Sequence, residues 1–207
     1  MLTIDLNRLA LTPGQLCLDI GCGEGRHSLA AYAFEGVYAL GLDLSTRDLA
    51  TASSRIVDMQ AHYPKGEIGF GVGDATRLPI ADERVDVVIA SEILEHIPDY
   101  LQVLQEAMRV LKPGGQLCIS VPRQWPEWVC WQLSEGYRTS PGGHIRIFDA
   151  THLRREVERF GFLYGGRGSA HALHVPYWWL KCLFWGRESE SWILRAYHQF
   201  LVWDLMQ

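Results

Sequence analysis

The sequence predicts an α/β fold, a mainly parallel sheet with helices on both faces carried by residues 1–122, and three observations lead there. Short apolar runs recur through this stretch, each closed by a loop rich in glycine, aspartate or serine. Those runs are near-continuous in apolar residues, as strands buried on both faces must be. Segments with helical spacing separate them, and strands alternating with helices build a parallel sheet. The chain of 207 residues, 48% hydrophobic and 21% charged, has ample material for a core, which excludes a disordered or low-complexity chain.

The elements follow in order. Leu16–Ile20 (LCLDI) reads as a first strand, with a helix through His27–Phe34 after it. Val37–Leu42 is a second strand, and Ser45 or Thr46 can cap the helix that follows. Ile68–Val72 and Val85–Ala90 are the third and fourth. Between Asp99 and Leu111, the apolar residues Leu101, Leu104, Met108 and Leu111 fall on one helical face. Lys112-Pro113-Gly114-Gly115 stops that helix, and Gln116–Val121 is a fifth strand.

Residues 1–207 read as one domain with a seam near Pro122. Residues 1–122 hold nine Lys/Arg against sixteen Asp/Glu, and residues 123–207 hold ten against eight, so the halves carry −7 and +2. All eight tryptophans lie between Trp125 and Trp203. The net charge of −5 argues against nucleic acid as a partner, because phosphate neutralisation needs a basic surface. Five scattered cysteines without a CxxC pair predict reduced thiols in a cytoplasmic protein, with neither a disulfide frame nor a metal site. Asp5 and Arg8 interrupt Met1–Ala10, against a signal peptide, and no uncharged apolar run is long enough to span a bilayer.

In such a sheet a ligand sits beyond the carboxyl ends of the strands, so the residues just after each strand carry the information. After the first comes Asp19-Ile20-Gly21-Cys22-Gly23-Glu24-Gly25, where alternate glycines admit a sharp turn and close approach of a ligand to the main chain. After the second stands Asp43, placed to accept both hydroxyls of a ribose; after the third comes Gly73-Asp74-Ala75, where Asp74 can accept from an adenine amine. After the fourth comes Ala90-Ser91-Glu92, lining the middle of the cleft.

These runs resemble the class I S-adenosylmethionine-dependent methyltransferases, in their small-molecule branch with the ubiquinone/menaquinone-type enzymes (methyltransferase type 11). The matching pieces are LDIGCGEG (Leu18–Gly25), GLDLS (Gly41–Ser45), GDATRLP (Gly73–Pro79), DVVIASEILEHIPD (Asp86–Asp99), LKPGG (Leu111–Gly115) and, more weakly, Gly143–Phe162. They cover about three quarters of the chain in the family's order. The resemblance implies a Rossmann-like doubly wound sheet of seven strands, the last antiparallel. It also implies S-adenosylmethionine as cofactor and S-adenosylhomocysteine as product. Gly21, Cys22, Gly23 and Gly25 would then cradle the methionine part, with Asp19 holding its amino group. Asp43 would take the ribose hydroxyls, Leu44 would pack on the adenine, and Gly73, Asp74 and Ala75 would meet the adenine edge. Ser91 would lie beside the sulfonium. A nicotinamide dehydrogenase fits less well, because the third position of its GxGxxG fingerprint falls on Arg26.

An activated sulfonium leaves the protein chiefly the task of aligning a nucleophile, with a general base where the acceptor must lose a proton. His96, at i+4 from Glu92, is the catalytic candidate, with a structural role as its rival; Glu92 and Glu95 read equally well as solvated or capping. His144, Arg146 and Arg138 are candidates for substrate binding, the arginines as clamps for a carboxylate or phosphate. The first strand begins so early that the usual N-terminal lid is nearly missing. Two aromatic segments could replace it: Arg123–Gly142 with Trp125, Trp128, Trp131 and Tyr137, and Pro176–Trp185, followed after a break at Gly186–Glu190 by a helix over Trp192–Met206. Such surfaces should face something apolar: the protein's own core, a second subunit in a homodimer, or a lipid-like acceptor or the inner face of a membrane. Two functions therefore stand: methylation of a small hydrophobic acceptor such as a lipid, isoprenoid or quinone precursor, or a cofactor-binding, non-catalytic partner that holds another protein through its Trp-rich region.

Overall fold

The computed structural model describes residues 2–62, 66–170, 172–187 and 191–205, leaving aside the side chains of 58, 61, 62, 204 and 205. A short 3-10 turn at Leu6–Leu9 precedes five strands: β1 (Leu16–Ile20), β2 (Tyr38–Asp43), β3 (Glu67–Val72), β4 (Val85–Ser91) and β5 (Leu111–Ser120). Between them run α1 (Arg26–Tyr32), α2 (Thr46–His62) and α3 (Tyr100–Val110). The sheet order is β3-β2-β1-β4-β5 with every pairing parallel. The order reverses between β1 and β4, so the crevice lies over their carboxyl ends.

Strand alternation sends Leu18, Ile20, Val88 and Ala90 to one face, where they pack with Leu94, Val103, Leu104 and Val110. Cys17, Val87 and Ile89 go to the other face, against Leu6, Tyr32 and Val37. Each such side chain taken from water contributes about 1.5–3 kcal/mol, so both faces of β4 anchor the sheet. Ser45 caps α2 by accepting from the Asp48 N–H at 3.2 Å, and Asp99 caps α3 by accepting from the Gln102 N–H at 3.2 Å.

Three expectations are corrected. The buried face of α3 is Val103, Leu104, Ala107 and Val110, whereas Leu101 and Met108 are exposed. The helix is turned about one residue from the stripe read in the sequence, so that this face meets the sheet core. β5 begins pairing at Leu111, opposite Val85, and the register shift before the Val87–Gln116 pair places Lys112–Gly115 as an irregularity inside the strand instead of a loop before it. The third is the strand count: the sheet has five parallel strands and, among the described residues, neither a sixth nor an antiparallel seventh. Where they were expected the chain runs Gly161-Phe162-Leu163-Tyr164-Gly165-Gly166-Arg167-Gly168 without regular pairing, with Gly161 and Gly166 at φ +91° and +133°. Four glycines in eight residues, two of them left-handed, oppose extended pairing.

Beyond β5 the chain is helical: α4 (Gln124–Leu133), α5 (Glu135–Arg138), α6 (Ala150–Arg159), α7 (His174–Leu183) and α8 (Trp192–Leu205). α4 packs on α5 and α7, and α7 on α8. Residues 188–190 and Met206, part of the expected break and helix end, lie outside the described residues. The N-terminal segment does more than its brevity suggested, since the Thr3 hydroxyl lies 2.6 Å from that of Ser91 and 2.9 Å from that of Ser120, bridging the ends of β4 and β5.

Candidate active site

The loop after β1 is held by main-chain bonds that fix its path. The N–H groups of Gly21 and Cys22 both donate to the Leu42 carbonyl, at 2.8 and 3.1 Å, tying the loop to the end of β2. The Gly23 N–H donates to Asp43 Oδ2 at 2.8 Å, and the Ser45 N–H to Asp43 Oδ1 at 2.8 Å. Each carboxylate oxygen keeps a further lone pair, so Asp43 can still accept from hydroxyls at the crevice. Gly21, Gly23 and Gly25 all sit at positive φ (+67°, +51° and +80°). Their surroundings differ: a Cβ on Gly25 would meet the Phe70 ring at 2.7 Å and the Ala52 Cβ at 3.0 Å, whereas one on Gly23 would meet nothing within 4 Å. Gly25 is a packing position, and Gly23 presents bare backbone to open space.

Asp19 is turned away from the crevice. It is 1% exposed and accepts from the Ser28 N–H at 3.1 Å and hydroxyl at 2.8 Å, joining β1 to α1. Burial pushes its carboxyl up to about 6 against the pull of those bonds. Asp74 accepts from the Thr76 N–H at 2.8 Å and hydroxyl at 2.7 Å; those bonds hold its carboxyl below the usual range. Gly73 donates to the Asp43 carbonyl at 3.1 Å, Ala75 is buried, and Leu44 is exposed beside Asp43. Cys22 is buried, and burial pushes its thiol up, with the charges of Asp19 and Asp43 adding to the effect.

Beyond β4 the backbone is strained. Glu92 stands at φ +53°, a left-handed conformation that a non-glycine residue holds only when its surroundings impose it, and its N–H donates to the Ser120 carbonyl at 2.9 Å. The turn it opens delivers Glu95 and His96 to a polar cluster with Glu127 (α4), Tyr137 (α5) and His144. His144 Nδ1 lies 2.6 Å from Glu127 Oε1, and its Nε2 lies 4.0 Å from Glu95 Oε1. Glu127 also accepts from the Trp131 indole at 3.0 Å and from the Tyr137 hydroxyl at 3.1 Å. His96 Nδ1 lies 3.2 Å from the Gly143 carbonyl, and the two imidazoles meet edge to face at 4.9 Å. Glu95 is 0% exposed, and burial, aided by the charge of Glu92, pushes its carboxyl up to about 8. Burial raises the Glu92 carboxyl as well, and burial, with the neighbouring His144, lowers His96. His144 is pulled down by burial, but the hydrogen bond and charge of Glu127 outweigh that and leave it raised.

The other predicted substrate residues separate here. Arg138 is exposed at a small recess shared with His96, Trp131 and His144. Arg146 is no clamp: its guanidinium donates to the carbonyls of Leu94 (2.9 Å), Ile97 and Pro98 (2.7 Å) and lies over the Tyr100 ring at 4.8 Å. It pins the turn that carries Glu95 and His96. Glu127 and Tyr137 are members of the cluster that the sequence reading did not assign, because nothing local marks a residue whose partners lie 10–17 positions away. The cluster opens on a groove of about 2490 Å³ along β5, lined also by Leu117, Ile119, Phe148, Trp125, Trp178 and Trp179.

Residues 18–119 match the family model described as a methyltransferase domain. Over that stretch the chain is similar to the class I S-adenosylmethionine-dependent methyltransferases. Similar relatives include methyltransferase GfsG of Streptomyces halstedii, 34% identical over 64% of this chain and 47% of its own length. Another is demethylmenaquinone methyltransferase of Beutenbergia cavernae, 33% identical over 64% of this chain and 50% of its own. The chain thus spans about half the length of these curated relatives. Among solved structures, a Bacillus halodurans protein assigned to the methyltransferases is 26% identical, with a TM-score of 0.62 over 76% of this chain and 66% of that one. The [4+2]-cyclase SpnF is also 26% identical, with a TM-score of 0.60 over 75% of this chain and 53% of its own. This likeness in sequence and fold implies S-adenosylmethionine as the cofactor. The residues fit it: the open backbone at Gly23 leaves room for close approach, and the Asp43 carboxylate stands beside it.

Proposed function

We propose that this chain moves a methyl group from S-adenosylmethionine to a small hydrophobic acceptor, with residues 1–122 holding the cofactor and residues 123–207 shaping the acceptor side. The observation that carries the reading is the pairing of the bare Gly23 backbone with the Asp43 carboxylate at the switch point of the sheet. When bound, the cofactor supplies an already activated methyl on a sulfonium. Asp43 would accept the ribose hydroxyls and Gly21 to Gly25 would follow the methionine part. Leu44 would cover the adenine, with Gly73, Asp74 and Ala75 at its edge and Ser91 near the sulfonium. Asp19 would act through the loop, by fixing the start of α1.

An apolar acceptor is supported by the groove, whose walls of tryptophan, phenylalanine and aliphatic side chains suit a ligand with few polar groups. Trp125, Trp178, Trp192 and Trp203 are all more than a third exposed. Their own core therefore does not absorb them, which leaves lipid or a second subunit for that surface. No helix among the described residues is long and apolar enough to cross a membrane.

The test is calorimetric titration with S-adenosylhomocysteine beside NADH, for the chain and for Asp43→Ala, followed by transfer of labelled methyl into a cellular lipid extract. The reading expects micromolar nucleoside binding that collapses in the variant, and label in an extractable product. NADH binding would overturn the cofactor assignment. Because a cyclase shares this fold, S-adenosylhomocysteine binding without any transfer would replace methylation by the non-catalytic alternative.

A further inference from the structure

The polar cluster beside the groove has a feature that acid–base chemistry alone leaves unexplained. Glu95 is fully buried, and neither of its carboxylate oxygens has a hydrogen-bond partner. A buried carboxylate with no partner is among the more costly arrangements in a protein, tolerated when paired, protonated or bound to a metal. Ligand atoms of Glu95, His96 and His144 all lie within 4.8 Å of one another.

The histidines are also oriented in a telling way. His144 Nδ1 faces Glu127, which can only accept, so Nδ1 carries the hydrogen and Nε2 is the nitrogen nearer Glu95. His96 Nδ1 faces the Gly143 carbonyl, again only an acceptor, so Nδ1 carries the hydrogen there and Nε2 is the nitrogen that can ligate. A carboxylate or carbonyl on the far nitrogen is the arrangement that fixes a metal-binding imidazole and raises its basicity. Glu127 is itself anchored by Trp131 and Tyr137. Both histidines line the groove, so an ion there would have an open face toward a ligand.

We infer that Glu95, His96 and His144 form a divalent metal site, with Glu127 and the Gly143 carbonyl holding the two imidazoles. Two imidazoles and a carboxylate suit Zn²⁺, Fe²⁺, Mn²⁺ or Co²⁺ better than Mg²⁺ or Ca²⁺. Bonds of about 2.0–2.2 Å require the three groups to draw together by roughly 1 Å from their present spacing, which rotation of the side chains can supply. The ion takes the place of any proton the cluster shares, since its ligands bind deprotonated.

Resting on the methyl-transfer reading, the site also specifies the acceptor atom: an oxygen, from a hydroxyl that fills the open coordination position and is acidified there. In transfer the carbon–sulfur bond breaks with its electron pair remaining on sulfur, the oxygen–methyl bond forms, and the hydroxyl proton leaves to water.

The experiment titrates the full chain, stripped with a chelator, with Co²⁺ and follows its visible absorption, with Zn²⁺ as competitor. We expect one equivalent of Co²⁺, displaced by Zn²⁺. Affinity should fall at least about 100-fold in His96→Ala, His144→Ala and Glu95→Gln, and by about 10–100-fold in Glu127→Gln, which leaves the three ligands in place. Should the histidine variants unfold, as urea midpoints would show, Glu127→Gln and Glu95→Gln decide. Absence of a Co²⁺ spectrum in the stripped chain, or binding that survives in the folded ligand variants, overturns the site. S-adenosylhomocysteine titration of the metal-free protein runs beside it. Nucleoside binding without Co²⁺ binding fails the metal site alone, and Co²⁺ binding without nucleoside binding fails the methyl-transfer reading alone.

Discussion

The same substitution at two neighbouring glycines should have opposite consequences. Gly23→Ala and Gly25→Ala both place a Cβ on a left-handed residue, at φ +51° and +80°, which costs about 1–2 kcal/mol for an L residue. At Gly23 nothing more is added, because the new methyl meets no atom within 4 Å. At Gly25 it meets the Phe70 ring at 2.7 Å and the Ala52 Cβ at 3.0 Å, between β3 and α2. Overpacking of that kind adds roughly 1–3 kcal/mol. Gly25→Ala should therefore lose about 2–5 kcal/mol and Gly23→Ala only about 1–2, a gap that urea unfolding of the ligand-free proteins resolves. For a chain of 207 residues that gap is a difference in Tm of roughly 2–12 °C. Calorimetry with S-adenosylhomocysteine then reverses the order: Gly23→Ala, the more stable variant, loses affinity because its methyl stands where the nucleoside must approach. Equal destabilisation of the two variants would refute the packing argument. Undiminished binding by Gly23→Ala would refute the placement of the cofactor against that backbone.

Further predictions concern buried polar groups. The Asp19 carboxyl, raised from an ordinary 3.8 to about 6, makes folding less favourable as pH climbs through that interval, because the native state holds its proton more tightly than the unfolded chain. Asp19→Asn keeps an acceptor for Ser28 and should gain up to about 3 kcal/mol over the parent at pH 8, fading toward pH 4; a difference that does not change with pH would count against it. Arg146→Met strips donors from the carbonyls of Leu94, Ile97 and Pro98 and should cost about 2–4 kcal/mol in urea unfolding, with a loss under about 0.5 kcal/mol contradicting its pinning role. Burial pushes the Cys17 and Cys118 thiols up to about 12 and about 11, so alkylation at pH 8 should run about 1000-fold slower at Cys17 and about 100-fold slower at Cys118 in the folded protein than in urea; equal rates would show that these thiols are accessible.

What the sequence revealed follows the range of the forces involved. Strands β1 to β4, the glycine loop, the cap at Ser45 and the acid at the end of β2 are local facts, each written within a few residues, and all were legible. The face of α3 was missed because Val103 and Val110 bury ahead of the larger Leu101 and Met108, a choice made by the neighbouring sheet. The extra strands were expected from the family and not from this chain's own Gly161–Gly168, whose glycines argued the other way. Arg146 looked like an anion clamp because its charge is visible in a sequence and the three carbonyls around it are not. The pairing of Glu127 with His144 spans 17 residues and two elements, and no periodicity announces it.

Beyond β5, helices α4, α5, α7 and α8 pack chiefly on one another and α6 sends Leu153 and Val157 into the sheet core, while the loops at Gly23 and Asp43 belong to the sheet. The molecule is thus assembled like a tool with a fixed motor and a detachable head. A change in α4 or α7 alters the walls of the groove without touching Gly23 or Asp43, so under the proposed function acceptor choice is free to drift at little cost to the donor side. The turn held by Arg146 is the coupling between the two, since it joins β4 to the cluster at His144. Exchange of the head between relatives should therefore succeed when the cut spares that turn, and fail when it passes through it.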